Sequence, residues 1–213
     1  MEEKKPVRVV FQGDSITDVG RSRTYDRLMG AGYAAYTAAR LSYQYPGEYE
    51  FFNRGIGGDR TVDLYARWKK DTINLAPDIV TILAGVNDVW HDLDEVPTGI
   101  DAEHTEINLD LIVEYTKTQL PDAKIIIMGP FVLKGSATEE HWDVFSREVP
   151  LRAEAAKRVA EKHGCIFIPL QQEFDALCEK APADCWLADG VHPYPAGHQM
   201  ISNKLTEALL SLR

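Results

Sequence analysis

Residues 7–15 read VRVVFQGDS, an apolar run followed by a glycine, an aspartate and a serine. The β-branched and aromatic residues of Val7–Phe11 predict a buried strand. A serine where such a strand passes into a helix can project its hydroxyl into the crevice above an α/β sheet, so Ser15 is the first candidate nucleophile. By itself, the same string also fits a plain strand-to-helix turn in which the serine caps the helix.

The rest of the chain repeats this alternation of strand and helix. Further strands are predicted at Glu50–Asn53, Ile79–Leu83, Lys124–Met128 and Cys165–Pro169, and helices at Gly32–Tyr45, Thr61–Leu75, Asp101–Gln119, Arg147–His163 and Pro195–Leu210. Such alternation implies right-handed crossovers and a parallel sheet with helices on both faces. We therefore predict one domain over residues 1–213, a three-layer α/β/α fold with five parallel strands in the flavodoxin-like order 2-1-3-4-5. The polar stretch Pro130–Ser146 is interpreted as a loop near the site, or as a lid.

The composition restricts the class of partner. The 213 residues carry a formal charge of −10, which argues against nucleic acid or an anionic membrane surface as the main partner. The three cysteines, Cys165, Cys178 and Cys185, are odd in number and lack metal-type spacing, which favours reduced thiols in a cytosolic protein. Met1–Pro6 lacks the apolar segment of a secretory signal, so a cytoplasmic location is expected. A homo-oligomer is compatible with a chain of this size.

Three later motifs follow predicted strands and would join Ser15 at one edge of the sheet. In the order 2-1-3, the loops after the first three strands are neighbours, and they hold Ser15, Gly57-Gly58 and Asn87. The motif Asp189-Gly190-Val191-His192 follows the fifth strand, on a segment that must fold back over the crevice. Four loops would then meet at one point.

The residue types at that point suit acyl transfer. A serine needs a base to take its proton, and the imidazole of His192 titrates near neutral pH. Asp189 lies three residues earlier and can hold the ring through Nδ1. The developing oxyanion needs donors, for which the candidates are the backbone N–H of Ser15, the backbone N–H of Gly58 and the side-chain amide of Asn87.

Each motif taken alone has an ordinary structural interpretation. Gly57-Gly58 can be a flexible turn, Asn87 an Asx-type cap, and Asp189–His192 a helix-entry turn. A zinc site at Asp189 and His192 is disfavoured, because no third ligand lies at a suggestive spacing. A dinucleotide loop is also disfavoured, because the glycine pattern from Gly55 ends in arginine and follows the second strand instead of the first. No cofactor and no metal are expected.

Together the motifs resemble the SGNH (GDSL) hydrolase superfamily, named for its serine, glycine, asparagine and histidine. The resemblance covers nearly the whole chain, with four blocks in family order, and it selects Gly58 over Gly57. The site residues that it implies are Ser15 as nucleophile, Gly58 and Asn87 as oxyanion donors, and Asp189 and His192 as the rest of the triad.

Longer sequence motifs indicate a particular group within this superfamily. GDSITDVGR (13–21), DLYARW (63–68), GVNDVW (85–90) and VHPYPAGH (191–198) are similar to the intracellular SGNH acetylxylan esterases, which remove acetyl groups from xylan-derived oligosaccharides. This implies a metal-independent serine esterase whose partner is a small acyl ester. Trp90 and Trp186 flank the motifs and are candidates to bind a sugar ring, or are simply packed indoles.

Three other functions are weighed against this one. A lysophospholipase or thioesterase on the same scaffold would need a long apolar channel, which the sequence does not reveal. A receiver-like signalling module would need an acceptor aspartate at the end of the third strand, where the chain instead runs Leu83-Ala84-Gly85. A catalytically silent sugar-binding protein is hard to reconcile with an intact triad.

Overall fold

The computed structural model describes residues 5–213, so part of the N-terminal segment Met1–Pro6 lies outside the described residues. The strands are β1 (Val7–Gly13), β2 (Tyr49–Asn53), β3 (Ile79–Leu83), β4 (Lys124–Met128) and β5 (Ile166–Ile168). The helices are α1 (Ser15–Asp18), α2 (Tyr33–Gln44), α3 (Thr61–Asp71), α4 (Val86–Trp90), α5 (Ala102–Gln119), α6 (Trp142–His163), α7 (Leu170–Cys178) and α8 (Pro195–Leu210), with 3-10 turns at Ile73–Leu75 and Ala183–Cys185.

The five strands form one parallel sheet in the order β2-β1-β3-β4-β5, which confirms the predicted order. Side chains alternate between the two faces of the central strand β3, all of which is buried. Ile79 and Leu83 join the core shared with α2 and α8, while Val80 and Ile82 join the core shared with α3 and α5. Both faces are therefore covered. The carboxyl ends of the paired strands β1 and β3 lie side by side, at the sheet edge where the binding crevice of such folds lies.

The element boundaries differ from the sequence prediction mainly around the longest helix. α6 begins at Trp142 instead of Arg147, and Pro150 lies inside it. Proline favours the first turn of a helix, so the sequence predicts that the helix begins shortly before Pro150. The earlier turns are nevertheless held in place because Phe145 and Val149 are buried in the core.

Two α-helices, α4 and α7, and the 3-10 turn Ala183–Cys185 were not predicted, and one predicted helix is shorter. α4 has five residues and α7 has nine, too few for a helical period to stand out. The helix predicted over Thr61–Leu75 ends at Asp71 and continues as a separate 3-10 turn. None of the helices in the described part of the chain combines the length and the hydropathy needed to cross a bilayer.

Of the stretch Pro130–Ser146 that was predicted as a loop, residues 130–141 form a packed loop, and the prediction is wrong for residues 142–146, which are the first turn of α6. Phe131, Val132 and Leu133 are buried, which binds the loop to the core. The N–H groups of Leu133 and Ala137 donate to the carbonyls of Gly190 and Asp189 at 2.9 and 3.0 Å. The loop therefore buttresses the turn that carries Asp189, and the lid interpretation of this stretch finds no support in its packing.

Candidate active site

The first turn after β1 fixes the position of Ser15. A Cβ on Gly13 would meet the Leu83 carbonyl and the Thr17 hydroxyl at 2.3 Å, so only glycine lets the strand end approach β3 this closely. Asp14 caps the short helix α1, since its carboxylate accepts a hydrogen bond of 2.9 Å from the N–H of Ile16. Ser15 is consequently the first helical residue, with its side chain at the crevice.

The hydroxyl of Ser15 meets an imidazole from the far end of the chain. Ser15 Oγ lies 2.9 Å from His192 Nε2, and His192 Nδ1 lies 2.7 Å from Asp189 Oδ2. The other oxygen of Asp189 accepts hydrogen bonds from the N–H groups of Val191 and His192, at 2.9 and 2.8 Å. The carboxylate is thus fixed by its own turn and in turn fixes the ring.

These contacts change the pKa values of Asp189 and His192. Burial by itself would raise the pKa of Asp189, but the hydrogen bonds from the His192 ring and from the backbone outweigh it and lower the pKa to about 2. The hydrogen bond to Asp189 raises the pKa of His192, against the effect of burial. The pair is therefore arranged so that the carboxylate stays charged and the imidazole is a stronger base than usual.

Two loops bring backbone and amide donors to the same place. The N–H of Gly57 is occupied, because it donates to Asp18 Oδ2 at 3.1 Å. Gly58 has a φ of +85°, a left-handed conformation that favours glycine, and no acceptor within residues 5–213 takes its N–H or that of Ser15. Asn87 Nδ2 donates to the carbonyl of Asp59 at 3.1 Å, which anchors the amide. The second N–H of the amide remains available to donate to a substrate oxygen.

The two tryptophans singled out in the sequence lie in different surroundings. The ring of Trp90 is 6.0 Å from that of His192, and it packs edge-on against Phe145 at 5.7 Å. Trp90 therefore forms a wall beside the imidazole. Trp186 is partly buried against the core and donates its indole N–H to the carbonyl of Ala181 at 3.1 Å. A sugar-binding role for Trp186 stays a prediction.

Asp88 supports the site and was given no role from the sequence. Its side chain is fully buried and accepts hydrogen bonds from the Thr61 N–H, the Thr61 hydroxyl and the Thr105 hydroxyl at 2.8, 2.7 and 2.6 Å. It ties α3 and α5 to the residue next to Asn87. These partners are far away in sequence, so only its position beside Asn87 could have drawn attention to it.

A separate group of metal-ligand types lies on the outer surface of α5 and the end of α6. Ligand atoms of Asp110, Glu114 and His163 lie within 4.8 Å of one another. The Asp110 carboxylate already accepts hydrogen bonds from Lys162 and His163, at 2.7 and 2.6 Å. Ion pairing across the two helices accounts for this group, and it has no contact with the crevice residues.

The five-stranded parallel sheet in the order β2-β1-β3-β4-β5 is the fold of the SGNH hydrolases. Residues 11–200 match the GDSL-like Lipase/Acylhydrolase family, and the chain belongs to that family. The expected class of enzyme, a carboxylic ester hydrolase, is confirmed by this match and by the relatives described next.

Several relatives are similar along almost their whole length. An acetylxylan esterase of Geobacillus stearothermophilus is 32% identical over 204 residues, which are 92% of this chain and 90% of that protein. Its crystal structure gives a TM-score of 0.86 at 31% identity, covering 97% and 95% of the two chains. A Parabacteroides merdae protein, provisionally described as a GDSL-like lipase, gives a TM-score of 0.88 at 37% identity and covers 96% of both chains.

A shorter similarity involves a different substrate. The human platelet-activating factor acetylhydrolase IB subunit alpha2 is 35% identical over 78 residues, or 36% of this chain and 30% of that protein. Among the solved structures are also catalytic mutants of the Geobacillus esterase, in which a serine, an aspartate or a histidine is replaced by alanine. These are the three residue types that meet in the crevice of this chain.

Proposed function

We propose that this protein is a serine esterase that removes short acyl groups, with Ser15, His192 and Asp189 as its triad. The observation that carries the proposal is the unbroken line of hydrogen bonds from Ser15 Oγ through His192 to Asp189, at 2.9 and 2.7 Å. A hydroxyl, an imidazole and a carboxylate in this order are what an activated serine nucleophile requires.

The reaction proceeds in two halves. Ser15 Oγ attacks the ester carbonyl while His192 Nε2 takes the hydroxyl proton, and the oxyanion is held by the N–H groups of Ser15 and Gly58 and by the Asn87 amide. The bond to the alcohol then breaks, and His192 gives its proton to the departing oxygen. A water molecule attacks the acyl-serine in the same way, releasing the carboxylic acid and restoring Ser15.

The acyl group that we propose is acetyl, and the alcohol is a xylo-oligosaccharide or a related carbohydrate. Two relatives with different substrates, an acetylxylan esterase and a platelet-activating factor acetylhydrolase subunit, are both named for the acetyl group. The relative that matches over almost the whole chain is the carbohydrate esterase. Trp90, beside His192, supplies an aromatic face that limits the pocket or stacks on a sugar.

The first experiment compares substrates on the wild-type protein and on Ser15→Ala. Wild type should release acetate from acetylated xylo-oligosaccharides and cleave p-nitrophenyl acetate faster than p-nitrophenyl octanoate. Ser15→Ala should lose activity by roughly 10³-fold or more with an unchanged circular dichroism spectrum. Full activity in Ser15→Ala would exclude this mechanism. Faster turnover of octanoyl esters or lysolipids would favour the lysophospholipase or thioesterase alternative.

Three further expectations stay proposals. We infer one catalytic domain, supported by the single sheet with both faces covered. An intracellular location and self-association remain predictions from the sequence. Sedimentation of the purified protein tests the last of these directly.

A further inference from the structure

Arg67 lies on α3, outside the triad, yet its guanidinium reaches two of the loops that form the crevice. Its side chain is only 13% exposed. Arg67 Nη2 donates to the carbonyl of Gly13 at 3.3 Å, and Nε donates to Asp59 Oδ2 at 2.6 Å. One planar group therefore joins the end of β1 to the loop after β2.

Both anchor points lie next to candidate oxyanion donors. Gly13 is two residues before Ser15, and Asp59 directly follows Gly58. The carbonyl of Asp59 also accepts the hydrogen bond from Asn87 Nδ2 at 3.1 Å. Arg67 is therefore connected to the N–H of Ser15 through Gly13, and to the N–H of Gly58 and the amide of Asn87 through Asp59.

The guanidinium is itself firmly held. Arg67 Nη1 donates to Gln12 Oε1 at 2.8 Å and to Asp71 Oδ2 at 3.3 Å. Gln12 is fully buried, and its own amide donates to the Asp71 carbonyl and the Thr72 hydroxyl at 3.0 and 2.7 Å. A rigid fork with five N–H donors can satisfy all these acceptors, whereas a lysine ammonium cannot.

Charge adds to this geometry. The carboxylate of Asp59 is 13% exposed, and burial raises its pKa while the charge of Arg67 opposes the shift. A carboxylate next to Gly58 without its cation would repel the negative charge that develops on the substrate oxygen. Arg67 thus both joins the two loops and neutralises the acid that follows Gly58.

We propose that Arg67 is a positioning residue that sets the geometry and the local charge of the oxyanion hole. The inference rests on the proposed esterase function. Because the donors act on the transition state and not on substrate binding, the effect of Arg67 falls on kcat and leaves KM nearly unchanged.

The test compares Arg67→Gln and Arg67→Lys with wild type on p-nitrophenyl acetate. We expect kcat to fall by roughly 10- to 100-fold in Arg67→Gln, the range that a small misplacement of catalytic groups produces, with KM within about twofold. Arg158→Gln is the matched control, because Arg158 pairs with Glu106 on the exposed surface and should keep wild-type kinetics. Adding Asp59→Asn to Arg67→Gln should restore part of kcat by removing the uncompensated carboxylate.

A double-mutant cycle with Asn87→Ala separates this role from a general structural one. Asn87→Ala should lower kcat by roughly 10²–10³-fold. If Arg67 acts through the same donors, Arg67→Gln costs less in the Asn87→Ala background than in wild type. The inference would be overturned if the loss of kcat in the double variant equalled the product of the two single losses. A wild-type kcat in Arg67→Gln would also overturn it.

Folding and the proposed function are checked independently. If Arg67→Gln lacks the wild-type circular dichroism, folded Arg67→Lys takes its place, and wild-type kcat in that variant contradicts the proposal. Activity surviving in Ser15→Ala would refute the esterase mechanism itself. Loss of esterase activity in Ser15→Ala, together with a wild-type kcat in Arg67→Gln, would refute only the role of Arg67.

Discussion

Asp14 lies between the end of β1 and Ser15, and its side chain is 1% exposed. One carboxylate oxygen caps the N–H of Ile16, but Oδ2 has no hydrogen-bond partner among the described residues. Burial raises the pKa of Asp14 to about 7, against the favourable charge of His192. The same side chain that fixes the turn of the nucleophile is therefore costly to ionise.

Asp14→Asn should stabilise the protein at alkaline pH. The pKa of Asp14 is about 7 in the folded protein and 3.8 ordinarily, so the wild type loses stability as the pH rises between these values, while asparagine does not titrate. Asparagine can still accept the hydrogen bond from Ile16. The melting temperature of the variant relative to wild type should increase from pH 4.5 to pH 8. A constant difference would show that Asp14 does not titrate in this window.

At the scale of elements, the turn that carries the base depends on a neighbouring loop. A Cβ on Gly135 would lie 2.4–2.6 Å from backbone atoms of Asp189 and Gly190, so the two segments touch backbone to backbone. The hydroxyl of Thr138 accepts from the N–H of Gly135 at 2.9 Å and donates to the Leu133 carbonyl at 2.8 Å, which holds the loop in this contact. The turn itself fixes the carboxylate of Asp189, and packing from the neighbouring loop supports the backbone of that turn.

Gly135→Ala should therefore displace the Asp189 turn and lower kcat by roughly 10-fold or more. Gly164→Ala is a suitable control. Gly164 ends α6 with a φ of +64°, and no atom lies within 4 Å of a Cβ added there. Alanine at this position should therefore lower the free energy of unfolding by about 1 kcal/mol and leave kcat unchanged. Steady-state kinetics and thermal melting of both variants make the comparison. Equal effects on kcat would contradict the buttress role.

On the scale of the whole molecule, charge governs behaviour in solution. The excess of 33 acidic over 23 basic side chains gives a formal charge of −10 at pH 7 and a sequence pI of about 5.1. Self-repulsion between molecules is therefore lost near pH 5. Solubility should be lowest there and rise again toward pH 8, as turbidity of a concentrated sample would show. A minimum at neutral pH would disagree with this balance of charges.

The sequence by itself determined the layered fold and indicated which residues could carry out ester hydrolysis. Strand–helix alternation is a local signal, and the handedness of crossovers leaves few strand orders, so the order β2-β1-β3-β4-β5 was predictable. The nomination of Ser15, Asp189 and His192 relied on short motifs whose residue types suit one reaction.

Only the tertiary structure decided how the loops are held. Arg67, Asp88 and Gly135 have partners that lie from eight to more than fifty residues away in the chain, and no local pattern encodes such contacts. The start of α6 ahead of Pro150 likewise follows from burial in the assembled core. Periodicity and motifs depend on neighbouring residues, whereas the alignment of a site depends on packing between distant segments, which exists only after the chain has folded.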